Sequence, residues 1–517
     1  MMGKFSGKIL IYLSALFSGI LGLTAFCLFF DPKILDPTNI NWLLEGDRAQ
    51  HFFGYLFFIF NQSWELPMGT VKSLIYPIGT NLVFTDSLPW VGIIVKPFEN
   101  LLPFPFQYSG IWLAVCYFLQ GYFAYLILVQ LRLRGALLRF IGVLFFVVSP
   151  VLLFRNFHLS LCAHWLILWA LSLSLSVKHR VYKWLSLIII SLGVHPYLAA
   201  MVAFLAIFDV LKRGVQKKLT TVRAVTFLIV YSLGIFVTIS LLGYWEFSHA
   251  NFSGFGYWSA DLLTFLNPQN KSLFLSSNNL SQGQGQYEGF AYFGLGVLVL
   301  ALVGLMALLK SRKFVFPALF WACFALFIYS LSSKISINGK LIYDLSWLYS
   351  LSPLNHISEH FRSSGRFVWP LYYFLLACII VGASKIVKNK KSTLTFIILA
   401  FCLQIYDLKD FYLDKYRVVD HYIKDFQMSG ELAELKGKYK HLYLNPPHIP
   451  YYSHSANWND KYYGLALYAA ENKMTMNSGS ATRYDRDGLN EYYLQLHSCR
   501  LDTLYVFQTN PNESYKH

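Results

Sequence analysis

The chain reads as a polytopic α-helical membrane protein with a small extramembrane domain at its C-terminal end. Three observations carry that reading. Hydrophobic residues make up 56% of the 517 positions and charged residues only 14%, with a mean hydropathy of +0.44, whereas a soluble chain of this size needs far more polar surface. Apolar runs of about 20 residues, the length that crosses a hydrocarbon core, recur between short basic loops. From Asp407 onward the composition turns charged, Tyr-rich and Asn-rich, with turn signals at Asn445-Pro446-Pro447 and Ser478-Gly479.

The first span is Ile9 to Phe30, ending at Asp31-Pro32. Lys4 and Lys8 hold its start inside, and without a small-residue cleavage site it reads as a retained span. The next strong span, Gln107 to Leu131, ends at Arg132, Arg134 and Arg139, an inside loop. Between them Leu88 to Leu102 is interrupted by Lys96, Pro97 and Glu99. Parity makes it an interfacial or re-entrant helix within a long first external loop, residues 31–106. Phe140 to Phe154 then leads out to Arg155-Asn156-Phe157-His158, and Leu159 to Val177 returns to Lys178, His179, Arg180 and Lys183.

Trp184 to Val210 is broken at Gly193-Val194-His195-Pro196 and basic at both ends, which predicts a hairpin of short helices with its apex near His195. Broken helices at membrane depth are tolerated where they line a cavity. Spans follow at Ala224 to Gly243, Ala291 to Leu309, Phe314 to Leu331, Arg366 to Val387 and Ser392 to Tyr406. That makes about 11 transmembrane or half-membrane helices, with the N-terminus inside and the C-terminus outside. Residues 407–517 suffice for a small α/β or α+β domain, with strands at Lys440 to Leu444 and Thr503 to Phe507 and a helix at Met428 to Lys436.

The net charge of +16 comes from 43 Lys and Arg against 27 Asp and Glu. The basic residues bunch in the short inner loops, so they read as topology determinants and not as a nucleic-acid surface. The seven cysteines show neither CxxC nor metal-like spacing and mostly sit inside apolar runs, as small core residues.

Polar residues in the outer loops form a different set, placed to surround one external cavity. Gly46-Asp47-Arg48-Ala49-Gln50-His51 is the first, because lipid-facing sequence has no use for so many polar groups unless they are hydrated or paired. Asp86, Arg155 and His158, Glu246 and His249, Asp261, Glu288, and His356, Glu359, His360, Arg362 and Arg366 follow, with His195 at the hairpin apex. Acids beside a cluster of Arg and His suit acid/base chemistry next to an anion site. Each also has a plain structural role to fill. Asp47 and Asp86 suit helix caps, Arg366 an interfacial anchor, Glu288 a turn, and His158 and His195 packing. Ser363-Ser364-Gly365 can offer backbone N–H groups to an anion. Asp47 and His51, four residues apart, do not by themselves make a metal site.

The chain resembles the GT-C superfamily of integral-membrane glycosyltransferases, in particular an uncharacterised bacterial branch near the YfhO-like proteins. The motifs that carry the resemblance are Gly46 to His51, Trp64 to Gly69, Tyr76 to Thr80, Asp86 to Pro89, Gly256 to Ser259, Gln286 to Phe290 and Phe361 to Phe367. The resemblance covers residues 9–406 and implies a GT-C-like catalytic domain over 1–406, with 407–517 as an extracytoplasmic domain.

It further implies an enzyme of the bacterial plasma membrane that moves a sugar from a polyprenyl-phosphate-linked donor to a cell-surface glycan or lipid acceptor at the outer face. Asp47 matches the acidic residue that acts as general base in the first external loop. Arg366 and Arg362, with His360 and Arg155 behind them, are the candidates for the donor phosphate. Gln50, His51, Asp86, Glu288, His158, His195 and Glu359 are the candidates for substrate binding. The loop lacks the adjacent acidic pair of the commonest pattern, so a second carboxylate (Glu288 or Asp86) or a divalent metal is left open as a partner of Asp47. No other cofactor and no nucleic acid is called for. The alternative class is a transporter or flippase of lipid-linked glycans, which predicts polar residues on both faces and repeat symmetry. Here the polar residues collect outside and no repeat is visible.

Overall fold

Close contact between two apolar helices founds the bundle. α1 (Met2–Phe29) and α4 (Ser109–Gln130) approach each other where Gly22 faces the Tyr117 carbonyl and Gly121 faces that of Ser18; a Cβ at either glycine would collide with backbone. Small residues at such crossings let two backbones meet where no hydrophobic effect draws helices together. The computed structural model describes residues 2–246, 254–276, 285–311, 317–351, 354–386, 389–416, 434–450, 460–495 and 499–508, with 432, 455 and 458. His249, the start of the predicted Phe314 span and most of the predicted Met428 to Lys436 helix lie outside the described residues.

Between α1 and α4 the long first loop is folded. α2 (Gly46–Asn61) is followed by the two-residue strands β1 (Thr70–Val71) and β2 (Thr80–Asn81), which pair antiparallel, and by the short α3 (Pro89–Val95). α3 and the 3-10 turn after it are too short to cross a bilayer. There Lys96 buries its ammonium against the end of α2 and donates to Phe58 O (2.7 Å) and Ile59 O (3.1 Å), capping carbonyls that have no partner within the helix.

After α4 come α5 (Ala136–Val147), α6 (Pro150–Phe154), α7 (Trp165–Leu175), α8 (Val181–Leu192), α9 (Pro196–Val215) and α10 (Thr221–Leu242). The expected break at Gly193 to Pro196 separates α8 from α9. His195 caps α9, accepting from Tyr197 N at 3.2 Å, and Pro196 takes the first helical position. At the far end of α9 a buried Asp209 binds His179 Nδ1 (2.8 Å), Lys212 Nζ (2.6 Å) and Arg213 Nε (2.9 Å). His179 in turn reaches the Tyr231 hydroxyl (2.8 Å), and Arg213 donates to Val177 O and Ser176 O. This cluster ties the end of α7 to α9 and α10.

α11 (Leu295–Ser311) and α12 (Ala318–Ser330) lead into a hairpin of β3 (Lys334–Ile337) and β4 (Lys340–Asp344), the short α13 (Ser346–Tyr349) and α14 (Leu354–His360). α15 (Trp369–Ile386), α16 (Lys390–Asp407) and α17 (Lys409–Tyr416) complete the bundle. Among the described residues, five helical stretches are long and apolar enough to cross a membrane: Lys8–Phe29, Ser109–Gln130, Ala136–Phe154, Thr221–Leu242 and Ser364–Lys385. The protein is a helical membrane protein with a small C-terminal domain.

That domain holds a three-stranded parallel sheet in the order β6 (Thr475–Met476), β5 (His441–Asn445), β7 (Thr503–Phe507), with helices Asp460–Glu471 and Arg486–Gln495. It is bonded to the first loop along a continuous seam. Met476 N donates to Ser73 O (2.8 Å), Tyr76 N to Met476 O (2.8 Å) and Thr482 N to Phe84 O (2.7 Å), while Asn61 Nδ2 donates to Met474 O (2.8 Å). All seven cysteines are free thiols.

Candidate functional site

The start of α2 supplies the first polar group of a cavity. Glu45 stands at the cap position with extended backbone and makes no side-chain cap bond, so Asp47 lies in the first turn, where the helix dipole favours a negative charge. Asp86 is not a cap either. It sits at φ +57°, a left-handed conformation that Asp tolerates better than most residues, and Leu88 precedes α3. Gln50, one turn beyond Asp47, donates to Asp86 Oδ2 (3.0 Å). From the segment after α6, His158 Nε2 meets Asp47 Oδ2 at 2.9 Å and His158 Nδ1 lies 4.0 Å from Asp86 Oδ2. His195 Nε2 approaches Asp86 Oδ1 at 3.8 Å.

Beneath this group lies a buried ion cluster. Glu288, in a 3-10 turn (Gln286–Gly289), accepts from Arg155 Nη1 (2.6 Å), Arg366 Nε (2.9 Å) and Arg366 Nη2 (3.0 Å). Arg155 also donates to the backbone carbonyls of Glu288 (2.7 Å) and Tyr287 (3.2 Å), and Arg366 lies over the Tyr197 ring at 4.8 Å. One carboxylate between two guanidiniums leaves the cluster with a net positive charge.

These surroundings drive the three carboxyls apart. Burial alone pushes Asp47 upward, but the hydrogen bond and charge of His158, with Arg366, hold it below its ordinary value. Asp86 is raised, chiefly by burial, with His158 opposing. Glu288 pays for complete burial with its two arginine partners, whose charges hold it far below the usual carboxylate range. Two neighbouring carboxyls with oppositely shifted affinities for a proton are the usual mark of separate acid and base roles. Asp47, Asp86 and His158 also bring one ligand atom each within 4.8 Å of one another, two oxygens and one nitrogen that could serve a divalent cation.

The cavity that joins these groups has a volume of about 650 Å³. Asp47, Gln50, Asp86, His158, His195, Glu288 and Arg366 line its polar end. Its other wall is apolar: Ile188 and Leu192 of α8, Ala199, Ala200 and Ala203 of α9, and Ile235 and Ile239 of α10. Glu359, His360 and Arg362 stand at the rim, with Arg362 held over the Trp258 ring at 4.8 Å.

A family model described as a domain of unknown function, DUF6311, matches residues 19–409, and a second, the DUF6311 C-terminal domain, matches residues 431–516. The chain belongs to the DUF6311 family. No curated protein matches it.

In this DUF6311 chain ten of the twelve site candidates read from the sequence line the one cavity: Asp47, Gln50, Asp86, His158, His195, Glu288, Glu359, His360, Arg362 and Arg366. Two do not. His51 is buried, with Nδ1 at 2.6 Å from Asp86 O and Nε2 at 2.9 Å from the Tyr108 hydroxyl, so it supports Asp86 from behind. Arg155 lies behind Glu288, bonded to its carboxylate and backbone carbonyl through Nη1 and Nη2. Asp261 and Glu246, also expected at the cavity, fasten loops instead. Asp261 accepts from Leu263 N, Asn338 N and Gly339 N, and Glu246 from Asn81 Nδ2. The N–H groups of Ser363 and Gly365 are spent on Tyr197 Oη and Trp258 O, which removes them as anion donors. The sequence reading missed Ala481, Thr482 and Arg483, which bring the C-terminal domain to the cavity wall, and Ser480, whose hydroxyl donates to Gln50 Oε1 (2.6 Å).

Proposed function

We propose that the protein is a membrane glycosyltransferase that moves a sugar from a polyprenyl-phosphate-linked donor to a glycan or lipid acceptor of the cell surface. The observation that carries this reading is the two-part lining of the cavity. A chain of apolar and small side chains from α8, α9 and α10 runs into a polar end that holds an ionised carboxylate beside guanidinium groups. An isoprenoid tail suits the first part, and a phosphate and sugar suit the second.

In this reading Asp47 takes the proton of the acceptor hydroxyl as its oxygen attacks the anomeric carbon, giving inversion. The bond to the phosphate oxygen breaks with its electron pair, and the leaving phosphate gains the charge that Arg366 and its neighbours offset. His158 orients Asp47 and helps keep it ionised. Asp86, raised by burial, is better suited than Glu288 to assist as a second carboxyl, because both oxygens of Glu288 are held by arginines. The placement is a bacterial plasma membrane, with about 11 crossings or half-crossings, the N-terminus cytoplasmic and the cavity and C-terminal domain outside. The basic loops Arg132 to Arg139 and Lys178 to Lys183 support that orientation.

The test is reconstitution in liposomes with a polyprenyl-phosphate sugar and an envelope glycan acceptor, with product read by mass analysis. Transfer without an ion or voltage gradient is expected, and Asp47→Asn should lower it by about 10²–10⁴-fold, the usual contribution of a general base. The half-exposed Asp47 side chain makes a large stability loss unexpected in the same variant. A folded Asp47→Asn protein that transfers at the normal rate removes Asp47 from the chemistry. Movement of intact lipid-linked glycan without transfer identifies a flippase instead. Transfer that survives chelation by EDTA assigns Asp47 as a direct base and not as a metal ligand.

A further inference from the structure

Arg483 lines the cavity half-buried and differs from the arginines of the buried ion cluster. Arg155 and Arg366 are neutralised in part by Glu288, whereas among the described residues no carboxylate pairs with Arg483. Its loop is nonetheless fixed. Thr482 N and Oγ1 both donate to Phe84 O, Thr80 Oγ1 donates to Arg483 O at 3.0 Å, and Ser480 is bonded to Gln50. The loop therefore holds its position while the Arg483 side chain extends over the Phe84 ring (5.9 Å) into the cavity.

The neighbours of Arg483 favour an anion beside it. Burial disfavours the charge of Arg483, and so does the like charge of Arg362 on the same cavity wall; Tyr197 and Glu359 offset this in part. Arg483 and Arg362 line the same cavity, one from each domain, and guanidiniums suit the oxygens of a phosphate group. The apolar wall formed by Ala199, Ala200 and Ile239 belongs to the same cavity.

We infer that Arg483 and Arg362 together bind a phosphate group of the ligand, so that the C-terminal domain completes the binding site instead of merely covering it. The inference rests on the proposed function only in taking the ligand to be phosphate-bearing. The phosphate comes from a lipid headgroup or from a free phosphate compound, and the probes separate these sources.

The test uses the full chain in nanodiscs, with binding followed through the fluorescence of the cavity tryptophans Trp245 and Trp258. Farnesyl phosphate, farnesol and inorganic pyrophosphate are titrated in parallel. Arg483→Gln should weaken binding of the phosphate probes at least tenfold and leave farnesol unaffected. Tighter binding of farnesyl phosphate than of pyrophosphate identifies a lipid source, and the reverse a soluble one. Wild-type affinity in folded Arg483→Gln overturns the inference. A second measurement avoids the variant altogether: phenylglyoxal modification of Arg483 in the wild-type chain, read by mass spectrometry, should be suppressed by the phosphate probes and not by farnesol. Equal modification with and without them also overturns it. Phosphate binding that depends on Arg483 without sugar transfer would uphold this site and defeat the glycosyltransferase reading. Transfer that persists with Arg483-independent binding would do the opposite.

Discussion

Replacing Glu288 by Gln removes one buried negative charge and leaves two buried positive ones. Glu288 Oε2 accepts from both Arg155 and Arg366, and Oε1 accepts from Arg366 alone. An amide has one acceptor atom. If it serves the shared position, its NH₂ group faces Arg366 Nη2, donor against donor. Arg155 keeps the carbonyls of Tyr287 and Glu288, so most of the loss falls on Arg366. Removing one partner of a buried ion pair typically costs about 3–5 kcal/mol, because the remaining charge is left uncompensated. The assay is thermal unfolding of the purified chain in nanodiscs, alongside Asp47→Asn as a control with a half-exposed carboxylate. Glu288→Gln should lower Tm far more than Asp47→Asn. The double variant Glu288→Gln/Arg366→Met should recover part of the loss, because one of the two stranded charges is gone. A Tm for Glu288→Gln equal to that of wild type would mean that the carboxylate does not hold the two arginines together.

His51 sits in complete burial that pushes its ring down to about 4, so it is neutral at physiological pH. His51→Leu should cost about 1–3 kcal/mol, because the Tyr108 hydroxyl proton loses its acceptor while the oxygen keeps Leu88 N, and should spare ligand affinity; a lost affinity at unchanged Tm would place His51 in the site. Stability should also fall on acidification with a definite sign. Asp47 and Glu288, both held below their ordinary values of 3.8 and 4.5, contribute stability that is whole above those values and lost as pH falls through their folded values. Asp86 is raised and acts in reverse, costing stability as pH rises through its folded value, so Asp86→Asn should stabilise the chain near neutral pH and not in strong acid. Both trends are read from Tm against pH. Ala203→Trp, which fills the apolar wall, should raise KM for a long isoprenoid donor more than for a short one, and equal effects on both would remove the tail from that wall.

The helical plan was legible because its signals are local. Span lengths follow from apolar runs, and the break between α8 and α9 follows from Gly193 and Pro196. The polar cavity was legible in part, since charged residues beside a bilayer must collect where they can be hydrated or paired. What stayed hidden depended on contacts between distant segments. Asp47, Gln50 and His51 share one face of α2, and nothing local says that Asp86 and Tyr108 close over His51. Glu288 reads equally as turn chemistry or as a site carboxylate, and only the fold brings Arg155 and Arg366, one on either side in sequence, to meet on it. Arg483 lies in a Tyr-rich and Asn-rich stretch far from α2 in sequence, where a charged residue reads as solvated. Its approach to the cavity comes from the seam of backbone bonds between the domains.

The same contacts explain how acids and bases so close together can hold distinct states. A guanidinium beside Asp47 and Asp86 would, if mobile, collapse onto whichever carboxylate was nearer and abolish the difference between them. Glu288 prevents this by holding Arg366 through two nitrogens and Arg155 through a third. Their excess charge is thereby fixed in place and lowers Asp47 through space without capping it. His158 can then hydrogen-bond Asp47 while Asp86 stays buried and raised. Such fixed charges need no reorganisation when charge moves in a reaction, which is the main advantage an enclosed site has over water. In the proposed transfer, the separation of the two carboxyls would leave Asp47 as the base and Asp86 as its partner.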